Sequence, residues 1–175
     1  MSTMRAGKFW QIAIPAMVAI AALGSLSGYL SNSGYSNSWF AGLDKPGFMP
    51  PGWVFGVAWT TLYALMGLAA ALIWAMPASP RRRSAITAFL LQLGLNYLWS
   101  PIFFGARMIE AGLVIIVVLF ALVALTAWRF ARLRPLAGLL LAPYLAWLCL
   151  ATALNYEIGR LNPGSDAMPL GIFGG

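Results

Sequence analysis

Polar and charged positions divide this chain into five long apolar runs joined by short polar segments. The runs are Phe9–Leu30, Trp53–Met76, Ser84–Ala106, Ala111–Trp128 and Leu136–Tyr156, and none contains a charged residue. A helix rises about 1.5 Å per residue and a bilayer core is about 30 Å thick, so about 20 apolar residues cross it. Each run is therefore read as a membrane-spanning helix, the fourth and shortest borrowing a flanking residue at each end. Joints this short leave no room for a soluble domain. Residues 1–175 are expected to form one all-α membrane protein domain, a five-transmembrane-helix bundle, with 163–175 as a flexible tail. The first run follows Arg5 and Lys8 and carries small residues from Gly24 to Gly28, as a cleaved signal segment would. It is longer than a signal core, so a mature span is expected.

Composition agrees with this pattern. The chain is 61% apolar and 9% charged, with a mean hydropathy of +0.81, whereas soluble domains carry roughly 25% charged residues. The net charge of +7 raises the question of nucleic acid, and its distribution answers it. Arg5, Lys8, Arg81, Arg82, Arg83, Arg129, Arg132 and Arg134 fall on one side of a five-helix topology, and Lys45, Arg107 and Arg160 on the other. The excess of cytoplasmic Lys and Arg in membrane proteins then places the N-terminus in the cytoplasm and the C-terminus outside. The basic excess is topological, with an attraction for anionic lipids, and no nucleic-acid partner is expected. Apolar helices suit a bacterial inner membrane better than an outer membrane dominated by barrels.

Several chemistries are excluded. The chain has no His, which removes His-ligated haem or zinc, and its one cysteine, Cys149, can form no intrachain disulfide. Asp44, Glu110, Glu157 and Asp166 lie near helix ends or in loops, so the mid-membrane carboxylate of a proton-coupled transporter is missing. No Lys lies within a run to form a retinal Schiff base. No nucleophile, acid–base pair or metal set supports conventional catalysis, and no resident cofactor is expected.

The polar residues inside the runs are costly in lipid unless they face protein or a cavity. Gln92, Asn96 and Ser100 recur every fourth residue on one face of the third run, flanked by Trp99 and Phe103. They are either hydrogen-bond glue between helices, about 0.6–2 kcal/mol per bond, or a cavity wall. Trp59 and Tyr63 lie one turn apart in the second run, and Tyr144, Trp147, Ala151 and Asn155 share roughly one face of the fifth. Pro101 and Pro143 each remove an amide donor inside a run, from the carbonyls of Tyr97 and Leu139. Kinks leave gaps, and gaps walled by indoles suit a flat apolar ligand. Aromatic stripes also serve as core, and Trp10, Trp74 and Trp128 suffice as interface anchors. Gly24-x-x-x-Gly28 permits close helix approach, within the bundle or across a homodimer.

The joint before the second run reads LDKPGFMPPGWVF. Pro50 and Pro51 hold the preceding residues extended, and Pro51 suits a helix start. The stiff path fits either a rigid helix start or a lid over the bundle mouth.

Three stretches, GLDKPGFMPPGWVFGVAWTTLYALMG, QLGLNYLWSPIFFG and APYLAWLCLATALNYEIGRLN, occur in this order. Together they resemble the TspO/MBR family of tryptophan-rich sensory proteins and mitochondrial translocator proteins, over roughly Trp39 to Asn162. The resemblance implies a five-helix bundle, commonly a homodimer, with a pocket under the first interhelical loop. It implies binding of porphyrins, notably protoporphyrin IX, of synthetic isoquinoline carboxamide or benzodiazepine ligands, and of cholesterol-like lipids. Carried over residue by residue, the ligand site comprises Trp39, Pro50, Trp59, Asn96, Trp99, Ser100, Trp147, Ala151 and Leu154. Ser100 departs from the larger or different residues of other members. Leu154, Tyr156 and Arg160 fit a proposed sterol pattern. The resemblance implies a membrane porphyrin-binding sensor or translocator; alternatives are light-dependent photooxidative breakdown of protoporphyrin IX, with Trp59 and Trp147 as the participating indoles, and sterol-like lipid binding or regulation of a partner.

Overall fold

Short apolar side chains, prolines at turns and unbroken apolar runs produce a bundle of helices, and the computed structural model describes it over residues 6–173. Arg5, one of the basic residues counted above, lies outside the described residues, as do Gly174 and Gly175. The elements are α1 (Ala6–Leu30), α2 (Ser38–Gly42), α3 (Gly52–Trp74), α4 (Pro80–Ser100), α5 (Ile109–Leu133), α6 (Pro135–Leu139) and α7 (Ala142–Leu161), with one π turn (Pro101–Gly105) continuing α4. No strand occurs among the described residues. Five stretches are long and apolar enough to cross a membrane, as the five apolar runs predict.

The spans differ from the runs mainly at their ends. α5 is 25 residues long, not the shortest, because Arg129 and Arg132 continue the helix and only Pro135 stops it. An arginine at a membrane edge can extend its charge to the interface while its stem stays in the helix; Arg132 also lies over the Trp128 ring at 5.2 Å. α4 begins at Pro80, before the three arginines, because Ser79 caps it by accepting the Arg82 amide at 3.2 Å. The fifth span is split: the helix breaks between α6 and α7, where Pro143 supplies no amide for Leu139.

Helix contact in lipid depends on close backbone approach, since burial of apolar surface offers little drive there. α1 packs most extensively on α3. A Cβ added at Gly67 would stand 2.5 Å from the Met17 Cα, and one at Gly24 would stand 2.3 Å from the Tyr63 ring. The Gly24 contact therefore lies within the chain. Below it, Met66, Ile73, Val123, Phe130 and Leu141 are fully buried, and Phe89 stacks on Phe130.

Lys45, Arg107 and Arg160 belong to one end of the bundle, and the two arginine joints to the other. At the first end residues 163–173 fold back over α5 and α7. The buried Glu110 carboxylate accepts the backbone amides of Leu170, Ile172 and Phe173. Asp166 in turn accepts the Glu110 amide at 2.7 Å. Phe173 lies so close to Gly159 that a Cβ there would stand 2.1 Å from its ring.

Candidate ligand-binding cavity

The joint between α1 and α3 is held down as a roof. Asn37 caps α2 by accepting the Phe40 amide at 3.1 Å, which starts one helical turn inside the joint. Tyr35 donates its hydroxyl to the Pro50 carbonyl at 3.1 Å. The Asp44 amide donates to Asn162 Oδ1 at 2.8 Å, and Asn162 Nδ2 donates back to the Asp44 carbonyl at 2.8 Å. This reciprocal pair fastens the roof to the end of α7. Phe40, Phe103 and Phe104 meet edge to face beneath it, an arrangement worth about 0.5–1.5 kcal/mol per pair beyond area burial. Lys45 sits over the Phe40 ring at 4.9 Å.

Under this roof lies a cavity of about 620 Å³, within the 300–1,000 Å³ range usual for small-molecule sites. Its wall from α1 is made of small residues, Ala21, Gly24, Ser25, Ser27 and Gly28. All but Ser27 fall at i, i+3, i+4 and i+7, one face of a helix. Much of the remaining wall is aromatic. Trp59 stacks with Tyr63, with ring centroids 5.2 Å apart, and meets Trp147 edge-on at 6.3 Å. Phe55 meets Trp147 from the roof side at 5.5 Å. Trp99 stacks on Phe103 at 4.9 Å and donates its indole N–H to the Gly112 carbonyl at 3.2 Å.

The polar stripe of α4 divides between tasks. Asn96 accepts from the Tyr63 hydroxyl at 3.3 Å and donates to the Tyr144 hydroxyl at 2.7 Å, bridging α3, α4 and α7 at the cavity floor. Ser100 exchanges a hydrogen bond with Ser33 of the roof at 2.7 Å, so its hydroxyl serves the joint. Gln92 lies one turn below Asn96, fully buried, with neither amide atom bonded to protein. Glue and cavity wall thus coexist on one face.

Of the residues expected at the site, Trp59, Asn96, Trp99, Ser100, Trp147, Ala151 and Leu154 line the cavity. Trp39 and Pro50 do not. Trp39 packs against Phe103 from outside, and its neighbour Phe40 takes the wall, because consecutive helical residues in α2 point about 100° apart. Met49 and Gly52 line the cavity on either side of the proline pair. The sterol pattern is dispersed. Leu154 faces the cavity, whereas Tyr156 is exposed against Phe173, and Arg160 is exposed and paired with Glu157 at 2.7 Å. Sequence reading missed the α1 wall and Phe55. The small-residue spacing of α1 carried the signal but was read only as a packing motif.

The TspO/MBR family profile matches residues 16–161. The chain is 42% identical over 126 residues to the tryptophan-rich sensory protein of Cereibacter sphaeroides, covering 72% of this chain and 78% of that one. It is 39% identical over 155 residues to the human translocator protein, covering 86% and 92%. It is 40% identical over 149 residues to the tryptophan-rich protein TspO of Archaeoglobus fulgidus, covering 85% and 95%. With five spans and these relatives, the chain is an integral multi-pass membrane protein that belongs to the TspO/MBR family.

Proposed function

We propose that this protein is a membrane receptor or translocator for a tetrapyrrole, held flat in the cavity beneath the roof between α1 and α3. The observation that carries the reading is the set of three indoles, Trp59, Trp99 and Trp147, on one cavity of about 620 Å³. Indole faces bind a conjugated macrocycle through broad apolar contact, and the small side chains of α1 that line the same cavity take up little of its space. The relatives' names, sensory protein and translocator protein, support binding coupled to signalling or movement. Isoquinoline carboxamide and benzodiazepine compounds are expected to compete for the same space, and family membership supports a homodimer in the bilayer. The charge distribution supports a cytoplasmic N-terminus with the roofed end outside, and the apolar helical spans suit a bacterial inner membrane better than a barrel-dominated outer one.

A dark titration of the detergent-solubilised protein with protoporphyrin IX, followed by tryptophan quenching, tests this reading. Saturation at one site per chain, weakened in Trp59→Phe, is the expected result. Linear quenching indifferent to the substitution would reduce the effect to detergent partitioning and favour sterol-like lipids instead.

The edge contact between Trp59 and Trp147 favours a second reading. A porphyrin bound against two indoles is placed for light-driven oxidation by dioxygen, the ligand supplying the reactivity and the protein orienting it.

A further inference from the structure

Six arginines stand at the end of the bundle away from the roof: Arg81, Arg82 and Arg83 begin α4, and Arg129, Arg132 and Arg134 close α5. All four carboxylate side chains, Asp44, Glu110, Glu157 and Asp166, belong to the roofed end, so none of them neutralises the six. The one ion pair among the described residues, Arg160 with Glu157, is at the roofed end too. Cations suit the end of α5, where carbonyls carry partial negative charge, but they oppose the start of α4, where amides carry partial positive charge. Membrane topology asks for arginines on this side, not in that turn. Their place there is a cost that a bound anion offsets.

Three of the six are held in position. Arg82 lies over the Trp74 ring at 5.3 Å, and Arg132 lies over the Trp128 ring at 5.2 Å. Arg129 Nη1 donates to the Ser84 carbonyl at 3.1 Å. A guanidinium resting on an indole face keeps its in-plane N–H groups for phosphate oxygens, which it can take two at a time. Arg129 spends one nitrogen on Ser84 and keeps the others. Because α4 packs on both α3 and α5, the held groups form a strip across the ends of three neighbouring helices. Arg81, Arg83 and Arg134 are exposed and have no such contact.

The strip lies where lipid headgroups lie. Trp74 and Trp128 are 55% and 56% exposed, as indoles of a membrane-interface belt are. Leu125, one turn inward of Trp128, and Leu90 and Leu91, about two turns inward of Arg83, offer exposed apolar surface for acyl chains. We propose that Arg82, Arg129 and Arg132 form a preset site for the phosphate of an anionic phospholipid, into which the general attraction of this basic end is concentrated. The site is separate from the cavity, and its occupancy is independent of the tetrapyrrole reading.

The test places the full chain in phosphatidylcholine vesicles carrying a fixed share of brominated phosphatidylglycerol or brominated phosphatidylcholine, and reads relative affinity from tryptophan quenching by bromine. The anionic lipid is expected to bind the wild type at least about fivefold more tightly, equivalent to about 1 kcal/mol. That preference is expected to be lost in Arg82→Gln/Arg129→Gln/Arg132→Gln and kept in Arg81→Gln/Arg83→Gln/Arg134→Gln, which removes the same charge from the same end. No preference on the wild type, or a preference that survives in the first variant, overturns the proposal. Equal loss in both variants overturns it as well, reducing the effect to surface charge. Loss of the preference in millimolar glycerol phosphate would assign the strip to a free phosphate and overturn the lipid site. If the first variant does not fold, Arg132→Gln at its exposed position is expected to weaken the preference, and a wild-type preference there overturns the proposal.

Discussion

Ser27 of α1 donates its hydroxyl to the carbonyl oxygen of Tyr97 in α4 across 2.6 Å, the carbonyl that Pro101 leaves without its usual amide donor. A proline defect in one helix is thereby satisfied by a neighbouring helix, as membrane interiors require. The same region carries the π turn at Pro101–Gly105, a feature that recurs at functional sites. It turns Phe103 and Phe104 under the roof. Ser27→Ala is expected to lower stability by about 0.6–1.7 kcal/mol, the range for hydrogen bonds between membrane helices. Reversible unfolding in mixed detergent measures this, and an unchanged midpoint would mean that the π turn satisfies the carbonyl alone.

Gly67 sets the distance between α1 and α3. A methyl group there meets the Met17 backbone, which cannot rotate away as a side-chain tip can. Gly67→Ala is expected to cost about 1–3 kcal/mol, as overpacking does. Gly56→Ala, where a Cβ meets nothing within 4 Å, serves as the control in the same unfolding assay. Equal midpoints for the two variants would contradict the close packing of α1 on α3.

Asn162 decides whether the joint between α1 and α3 acts as a lid. Its two hydrogen bonds with the Asp44 backbone are exposed, so each is worth no more than the low end of about 0.5–1.5 kcal/mol. Asn162→Ala is expected to speed porphyrin release up to about tenfold, with the association rate little changed. Stopped-flow displacement reads this directly. Pro50→Ala with Pro51→Ala is expected to act in the same direction, through a looser path. Unaltered release in both variants would leave the prolines as a helix start only.

Trp147 separates binding from photochemistry. Trp147→Phe keeps an aromatic ring against Phe55 and Trp59 but removes the oxidisable indole. Folding is expected to be retained and any protein-dependent bleaching of bound porphyrin under light to be lost. Bleaching at the wild-type rate would remove this indole from the photochemical reading.

The number of spans was legible because it depends on local pattern, the length of apolar runs. Counting turns grouped Trp59, Trp99, Trp147 and Ala151 with other aromatic and polar positions but left core and cavity wall both open, and only the resemblance to the TspO/MBR family assigned them to a ligand site. Helix ends were less legible, because α5 carries Arg129 and Arg132 past the point where the apolar run stops. The choice of Phe40 over Trp39 depends on the pose of a single helical turn, set by the Asn37 cap and by aromatic contacts distant in sequence. The fold-back of residues 163–173 rests on Glu110, whose partners are backbone amides of residues 170–173. Backbone groups carry no residue-specific signal. Asn155 shares a face with Trp147 and Ala151, but its bond to the Ile109 carbonyl is one that no spacing reveals.

The central claim is that a tetrapyrrole occupies the cavity between the indoles and α1. The most direct measurement is induced circular dichroism of the porphyrin Soret band during a dark titration, because an achiral macrocycle acquires a signal when held in a chiral pocket. It is compared in the wild type and in Ala151→Phe, which fills the cavity from α7. The account predicts a signal that saturates at one porphyrin per chain and is lost in the variant while the variant remains folded. A signal that never saturates, or that survives intact in Ala151→Phe, would contradict it.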